Sequence, residues 1–144
     1  MSMLADIYAR LPHAGDMRLI EQVLHWNEQS IVCATSSHHS TTNPLRRHGH
    51  LSTVHGIEYA AQAAAVHGIL TAVLDGGPVL LIGAVRDLEL TVPRLDLLPT
   101  PLRIQATLEA RAGVNAVYQF GLKADDRTWA QGRITLLKAA GANQ

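Results

Sequence analysis

At 144 residues the chain has the length of one domain, enough to close a single well-buried core and too little for a two-domain enzyme. A composition of 47% hydrophobic, 17% charged and 4% aromatic residues excludes a disordered chain and leaves few rings for a nucleobase-stacking surface. The 12 basic and 12 acidic residues cancel, so no overall field would draw the chain to nucleic acid or to an anionic membrane.

Met3 to Leu11 predicts a short helix that stops at Pro12, since proline lacks an N–H and disfavours helix in the residue before it. A turn at Pro12-His13-Ala14-Gly15 follows. Met17 to Trp26 and Ser30 to Ser37 then read as the strands of a hairpin around Asn27-Glu28-Gln29. From His38 to Val54 the chain is Ser, Thr, Asn, Pro, His and Arg without periodicity, an irregular loop of the length that usually carries function or motion. Gly56 to about Leu74 has strong helix propensity and ends at Asp75-Gly76-Gly77-Pro78. Its small side chains lie on every face, so it is expected to be buried on all sides.

Val79 to Val92 leads to a link marked by Pro93, Pro99 and Pro101. Leu102 to Arg111 then alternates apolar and polar residues without a fault, the mark of a half-buried strand. Gly113-Val114-Asn115 turns into Ala116 to Ala124, with Ala116, Tyr118, Phe120 and Leu122 on one face, and Asp125-Asp126 turns into Thr128 to Lys138. No repeating βα unit demands a parallel sheet. The expectation is an α+β chain, residues 1–144 forming one domain in which an antiparallel sheet curls around a central helix.

Glu58 sits in the first turn of that helix, where a carboxylate must be paired, hydrogen-bonded or proton-bearing, or simply complements the helix dipole by roughly 0.3–1 kcal/mol. Gln62, one turn on, shares its face and could hold the carboxyl rotamer. Gly56 at the helix start could offer a backbone N–H to an anionic or carbonyl oxygen. Of the eight histidines, His38, His39, His48, His50 and His55 fall in one stretch. They read as solvated loop residues, as a zinc site short of cysteine and acidic ligands, or as one general acid or base facing Glu58.

Cys33, the single cysteine, excludes an internal disulfide and reads as a core thiol. The N-terminus lacks a basic segment before an apolar run, and no stretch reaches the roughly 18 apolar residues of a spanning helix, so a cytoplasmic protein without membrane contact is expected. No phosphate loop or nucleophile elbow appears, so no cofactor or metal is expected.

With these residues in hand, the chain resembles the hotdog-fold 3-hydroxyacyl-acyl carrier protein dehydratases of the FabZ/FabA type, and more closely the ApeP-like branch. The resemblance is carried by Leu11-Pro12-His13-Ala14-Gly15-Asp16-Met17, Asn43-Pro44-Leu45-Arg46-Arg47, Gly56-Ile57-Glu58-Tyr59-Ala60-Ala61-Gln62-Ala63 and His67-Gly68. It implies a highly curved sheet around one long helix, and a dimer, homomeric or part of a larger assembly, with active sites at the subunit interface. It implies that Glu58 is the catalytic acid and works with a histidine of the partner subunit. His38, at the end of the second strand, and His50, in Gly49-His50-Leu51, compete for the histidine position.

The implied reaction removes water from a 3-hydroxyacyl thioester carried on the phosphopantetheine arm of an acyl carrier protein, giving the 2-enoyl thioester for fatty-acid-like or aryl polyene biosynthesis. It needs a base for the α-proton and an acid for the departing hydroxide. A neutral histidine suits the first and a proton-bearing Glu58 the second, with Gly56 N–H holding the thioester oxygen. Arg46, Arg47 or Arg103 could meet the acidic carrier. An acyl thioesterase on the same fold, and a non-catalytic structural or carrier-binding partner, are the alternatives.

Overall fold

The computed structural model describes residues 3–11, 17–71, 73, 80–99 and 101–139. The expected turn at 12–15, the helix stop at 75–78 and the tail at 140–144 lie outside the described residues. Helix α1 (Met3–Tyr8) buries Leu4, Ile7 and Tyr8, the spacing of one helical face. Strands β1 (Gln22–Trp26) and β2 (Ser30–Thr35) form the expected hairpin. Asn27 closes it: its Oδ1 accepts from the N–H of Gln29 at 2.8 Å and of Ser30 at 2.9 Å, a side-chain substitute for a backbone turn. The first strand starts later than the apolar pattern predicts. Leu19 N–H is bonded to Gln62 and Ile20 N–H to Tyr8, so neither is free for the ladder.

After β2, two short 3-10 turns, Ser37–His39 and Thr53–His55, bracket an otherwise irregular loop. Helix α2 (Gly56–Leu70) begins directly from the second turn. It ends four residues before the expected Leu74: Thr71 N–H and Thr71 Oγ1 both reach His67 O at 2.9 Å, and Val73 N–H folds back onto Gly68 O at 3.0 Å. The carbonyls that a longer helix would satisfy are capped locally.

Strands β3 (Leu80–Leu90), β4 (Leu102–Ala112), β5 (Asn115–Ala124) and β6 (Arg127–Lys138) complete one six-stranded sheet, ordered β1-β2-β4-β5-β6-β3 and antiparallel at every pairing. Asp125 and Asp126, both with positive φ, make the two-residue turn between β5 and β6, a conformation that aspartate tolerates. Ile104 of β4, Phe120 of β5 and Ile134 of β6 bury their side chains in the core, where α2 packs across the inner face of the sheet. Tyr59, Ala60, Ala63 and Val66 of α2 are fully buried, and the alanines let the sheet approach closely. This is the hotdog arrangement.

Contrary to what its composition suggests, the helix is not sealed all round. Ile57, Glu58 and Ala61 form a half-buried edge near its start, preceded by exposed Val54. The sheet likewise has an unfinished margin: β3 pairs only with β6 and exposes Leu81, Ile82, Leu88 and Leu90. Among the described residues no helix is long and apolar enough to cross a membrane.

Candidate active site

Gln62 is fully buried, and each of its polar atoms is engaged. Its Oε1 accepts from Tyr8 OH at 2.6 Å and from Leu19 N–H at 3.0 Å. Its Nε2 donates to Met17 O at 2.7 Å and to Glu58 Oε2 at 3.3 Å. Two donors meeting one oxygen fix the amide orientation, so the group facing Glu58 must be the NH₂. Tyr8 OH also accepts from Ile20 N–H at 2.9 Å, and burial drives its pKa upward, keeping the phenol protonated as donor to Gln62. The predicted pairing of Glu58 and Gln62 is therefore present. It sets the carboxyl at the half-open stretch of the helix start, with its orientation held from below.

Gly56 takes a different part from the one expected. Its N–H donates back to Thr53 O and Val54 O, where the 3-10 turn runs into α2, so that donor is already engaged inside the turn. Its missing side chain serves packing: a Cβ built there would collide with Leu122 Cδ1. In this structure Gly56 serves close contact between helix and sheet.

His38 and His50 are placed very differently. His38, in the 3-10 turn after β2, is fully buried, with Nε2 at 3.3 Å from Leu98 O. A carbonyl can only accept, so Nε2 carries the proton and Nδ1 presents a lone pair. That Nδ1 is buried without a hydrogen-bond partner. Burial above all, then the neighbouring His39 ring 4.2 Å away, pushes the His38 pKa down to about 4, so the imidazole is neutral near pH 7. His39 shares the same carbonyl at 2.6 Å. Neither His38 nitrogen bonds the Glu58 carboxyl of the same protomer. His50 is exposed, in a tight turn where its N–H and C=O pair with Arg47 and the intervening His48 and Gly49 have positive φ.

The residues that seat the histidine turn were not identified as functional from the sequence. Ser37 Oγ lies 2.8 Å from Tyr59 OH and donates to Leu19 O at 2.7 Å. Asn43 Nδ2 donates to Ser37 O at 3.0 Å and to Tyr59 OH at 3.1 Å. The turn of His38 is thereby tied to the helical residue next to Glu58. The buried hydroxyl of Tyr59 is the one signal the sequence offered, because a tyrosine inside an alanine-rich helix must find partners. Arg46, expected to face an acidic carrier, instead turns inward onto backbone carbonyls; Arg47 and Arg103 are exposed. Cys33 is a buried core thiol, pushed up to about 12 by burial. Among the described residues no three His, Cys, Asp or Glu side chains gather as a metal-binding group.

The model of the ApeP-like family, the ApeP dehydratases, matches residues 5–144. No curated protein matches the chain in sequence. Among solved structures, the dehydratase heterocomplex ApeI:P from Xenorhabdus doucetiae superposes with a TM-score of 0.79 at 22% identity, covering 94% of this chain and 91% of that one. A point mutant of the thioesterase PA1618 from Pseudomonas aeruginosa gives 0.62 at 15% identity over 94% and 93% of the two chains. A hypothetical thioesterase with coenzyme A from Streptococcus pneumoniae gives 0.61 at 11% identity over 94% and 96%. At these identities the structures establish the fold they share with the chain.

Proposed function

The chain belongs to the ApeP-like dehydratase family, and on that premise we propose that it dehydrates a 3-hydroxyacyl thioester carried by an acyl carrier protein. The observation that carries the reading is the Glu58 carboxyl, held by the fixed NH₂ of Gln62 at the half-open edge of an otherwise buried helix. Glu58 gives a proton to the departing 3-hydroxyl as the C–O bond breaks. His38 Nδ1 takes the α-proton, and the C–H electron pair becomes the new C=C bond. The two products are the 2-enoyl thioester and water.

His38 is favoured over His50 because its tautomer is set by Leu98 O and its other nitrogen has a lone pair with no partner. An unsatisfied buried acceptor costs about 1–3 kcal/mol, a cost that a reacting proton would relieve. Pairing with Glu58 needs a second hotdog chain, of this sequence or a related one, to bring the histidine turn of one protomer to the carboxyl of the other. The unpaired apolar edge of β3 and the open flank of α2 support such an assembly.

The test is to incubate the purified assembly with a 3-hydroxyacyl-carrier protein and follow the acyl species by mass spectrometry. Loss of 18 mass units, about one water, marks the enoyl thioester, and its formation falls by about 10²–10⁴ in His38→Ala but not in His50→Ala. Release of free acid without any enoyl product would instead select thioester hydrolysis. Equal rates in both histidine variants would remove the histidine half of the mechanism.

A further inference from the structure

We propose that Arg46 and Asp96 act as a clamp that positions His38, one gripping its main chain and the other the segment that holds its ring; this rests on His38 being the base in the reading above. Arg46 Nε donates to Ser40 O at 2.7 Å, Nη1 to Gly49 O at 2.6 Å and Nη2 to His38 O at 3.1 Å. Three carbonyls of one loop are held by one guanidinium, whose fixed fork of donors a lysine ammonium cannot reproduce. Arg46 Nη1 is also 3.9 Å from Asp96 Oδ2, and both side chains are largely buried.

Asp96 grips the opposite side. Its Oδ1 accepts from Leu51 N–H at 3.0 Å, and its Oδ2 takes Arg94 Nη2 at 2.5 Å. The Arg94 guanidinium holds the Asp96 carboxyl well below the usual carboxylate range, so it stays charged at any working pH. Asp96 lies in the 3-10 turn Leu95–Leu97, and the residue after that turn, Leu98, supplies the carbonyl that anchors His38 Nε2. The path closes on itself, from His38 O through Arg46 and Asp96 to Leu98 O and the His38 ring. A base whose free nitrogen must meet a substrate carbon depends on that rigidity, since small misplacements of a reacting group cost large factors in rate.

The experiment compares Arg46→Lys and Asp96→Asn with Thr41→Ala, an exposed position of the same loop outside the clamp, each as the full chain in its native assembly. It reads kcat, KM and the pH profile of dehydration, with circular dichroism for the fold. Arg46→Lys lowers kcat at least about tenfold with KM changed less than about twofold, because chemistry rather than binding loses its geometry. The acid limb of the profile moves to higher pH, as a loosened turn lets water and an ordinary imidazole pKa return to His38. Asp96→Asn shifts both in the same direction, and Thr41→Ala moves neither. Should Arg46→Lys fail to fold, Asp96→Asn decides by the same two readouts. Wild-type kcat and acid limb in a folded clamp variant, alongside an inactive His38→Ala, would overturn the clamp and leave the base in place; an active His38→Ala would overturn the reading beneath it.

Discussion

At the C-terminal end of α2, His67 Nε2 donates to Asn27 O at 2.8 Å and Nδ1 accepts from Tyr118 OH at 2.6 Å, while Tyr118 in turn accepts from Arg111 Nη2 at 3.0 Å. At the N-terminal end, Gln62 is satisfied just as fully, yet its last donor is pointed at a carboxyl that stands at a half-open edge. Both ends carry polar groups into one apolar core. The ring nitrogens of His67 are both spent inside the fold, on Asn27 O and on Tyr118 OH, so the histidine reads as architecture. The Gln62 network runs to the Glu58 carboxyl at the half-buried edge of the helix. Burial of polar groups alone does not distinguish a site; the direction in which the last hydrogen bond points does.

The largest expected effect separates the two ends by activity. Glu58→Gln keeps the fold, since an amide fits the same space, and lowers dehydration by about 10²–10⁴ through loss of the acid. His67→Gln, which can still donate to Asn27 O, keeps kcat but lowers unfolding stability by about 1–3 kcal/mol through imperfect pairing of Tyr118. Steady-state turnover beside denaturant unfolding of both variants checks the contrast. A His67 variant that loses turnover while Glu58→Gln retains it would reverse the roles of the two ends.

A smaller effect comes from removing the support rather than the acid. Gln62→Leu strips the partners from Tyr8 OH, Leu19 N–H and Met17 O together and loosens the Glu58 rotamer. It lowers both properties at once: kcat by about tenfold, as expected for a group that orients and does not react, and stability by more than the His67 change. A Gln62 variant with an unaltered rate would reduce this network to architecture as well.

The fold was legible where periodicity is undisturbed. Leu102 to Arg111 and Ala116 to Ala124 alternate cleanly and form β4 and β5 almost to the residue. β3 was less readable because two irregularities, between Ile82 and Ala84 and between Arg86 and Glu89, shift its register against β6 and scramble the alternation; Asp87 takes a positive φ in the second. Glu58 and Gln62 were legible because helical spacing fixes which side chains meet. Arg46 was not, since its partners are carbonyls of an irregular loop, and a backbone carbonyl leaves no trace in the choice of residue. The packing role of Gly56 was hidden for a related reason: a glycine at a helix start is equally suited to an oxyanion and to a leucine packed against it, and the sequence does not show that Leu122 lies there.

The smallest effect concerns acid stability and extends the comparison from the His67 end to the histidine turn. In the unfolded chain His38 and His67 titrate near the ordinary imidazole value of about 6.5. In the fold burial holds both lower, His38 at about 4, and for His67 the nearby Arg111 adds to burial. Above about pH 6.5 both states are neutral and the two residues add no pH dependence. As the pH falls below that value the unfolded chain binds protons that the native chain refuses, so unfolding becomes easier, and the His38 contribution levels off only near pH 4 when the native ring also takes its proton. Urea midpoints measured at about pH 7.5, above that window, and at about pH 4.5, near its lower end, therefore fall less between the two conditions in His38→Gln than in the wild type, and less in His67→Gln as well. A His38→Gln chain with the full wild-type loss would mean that the ring is not held neutral, and the unpaired Nδ1 would no longer mark it as the base.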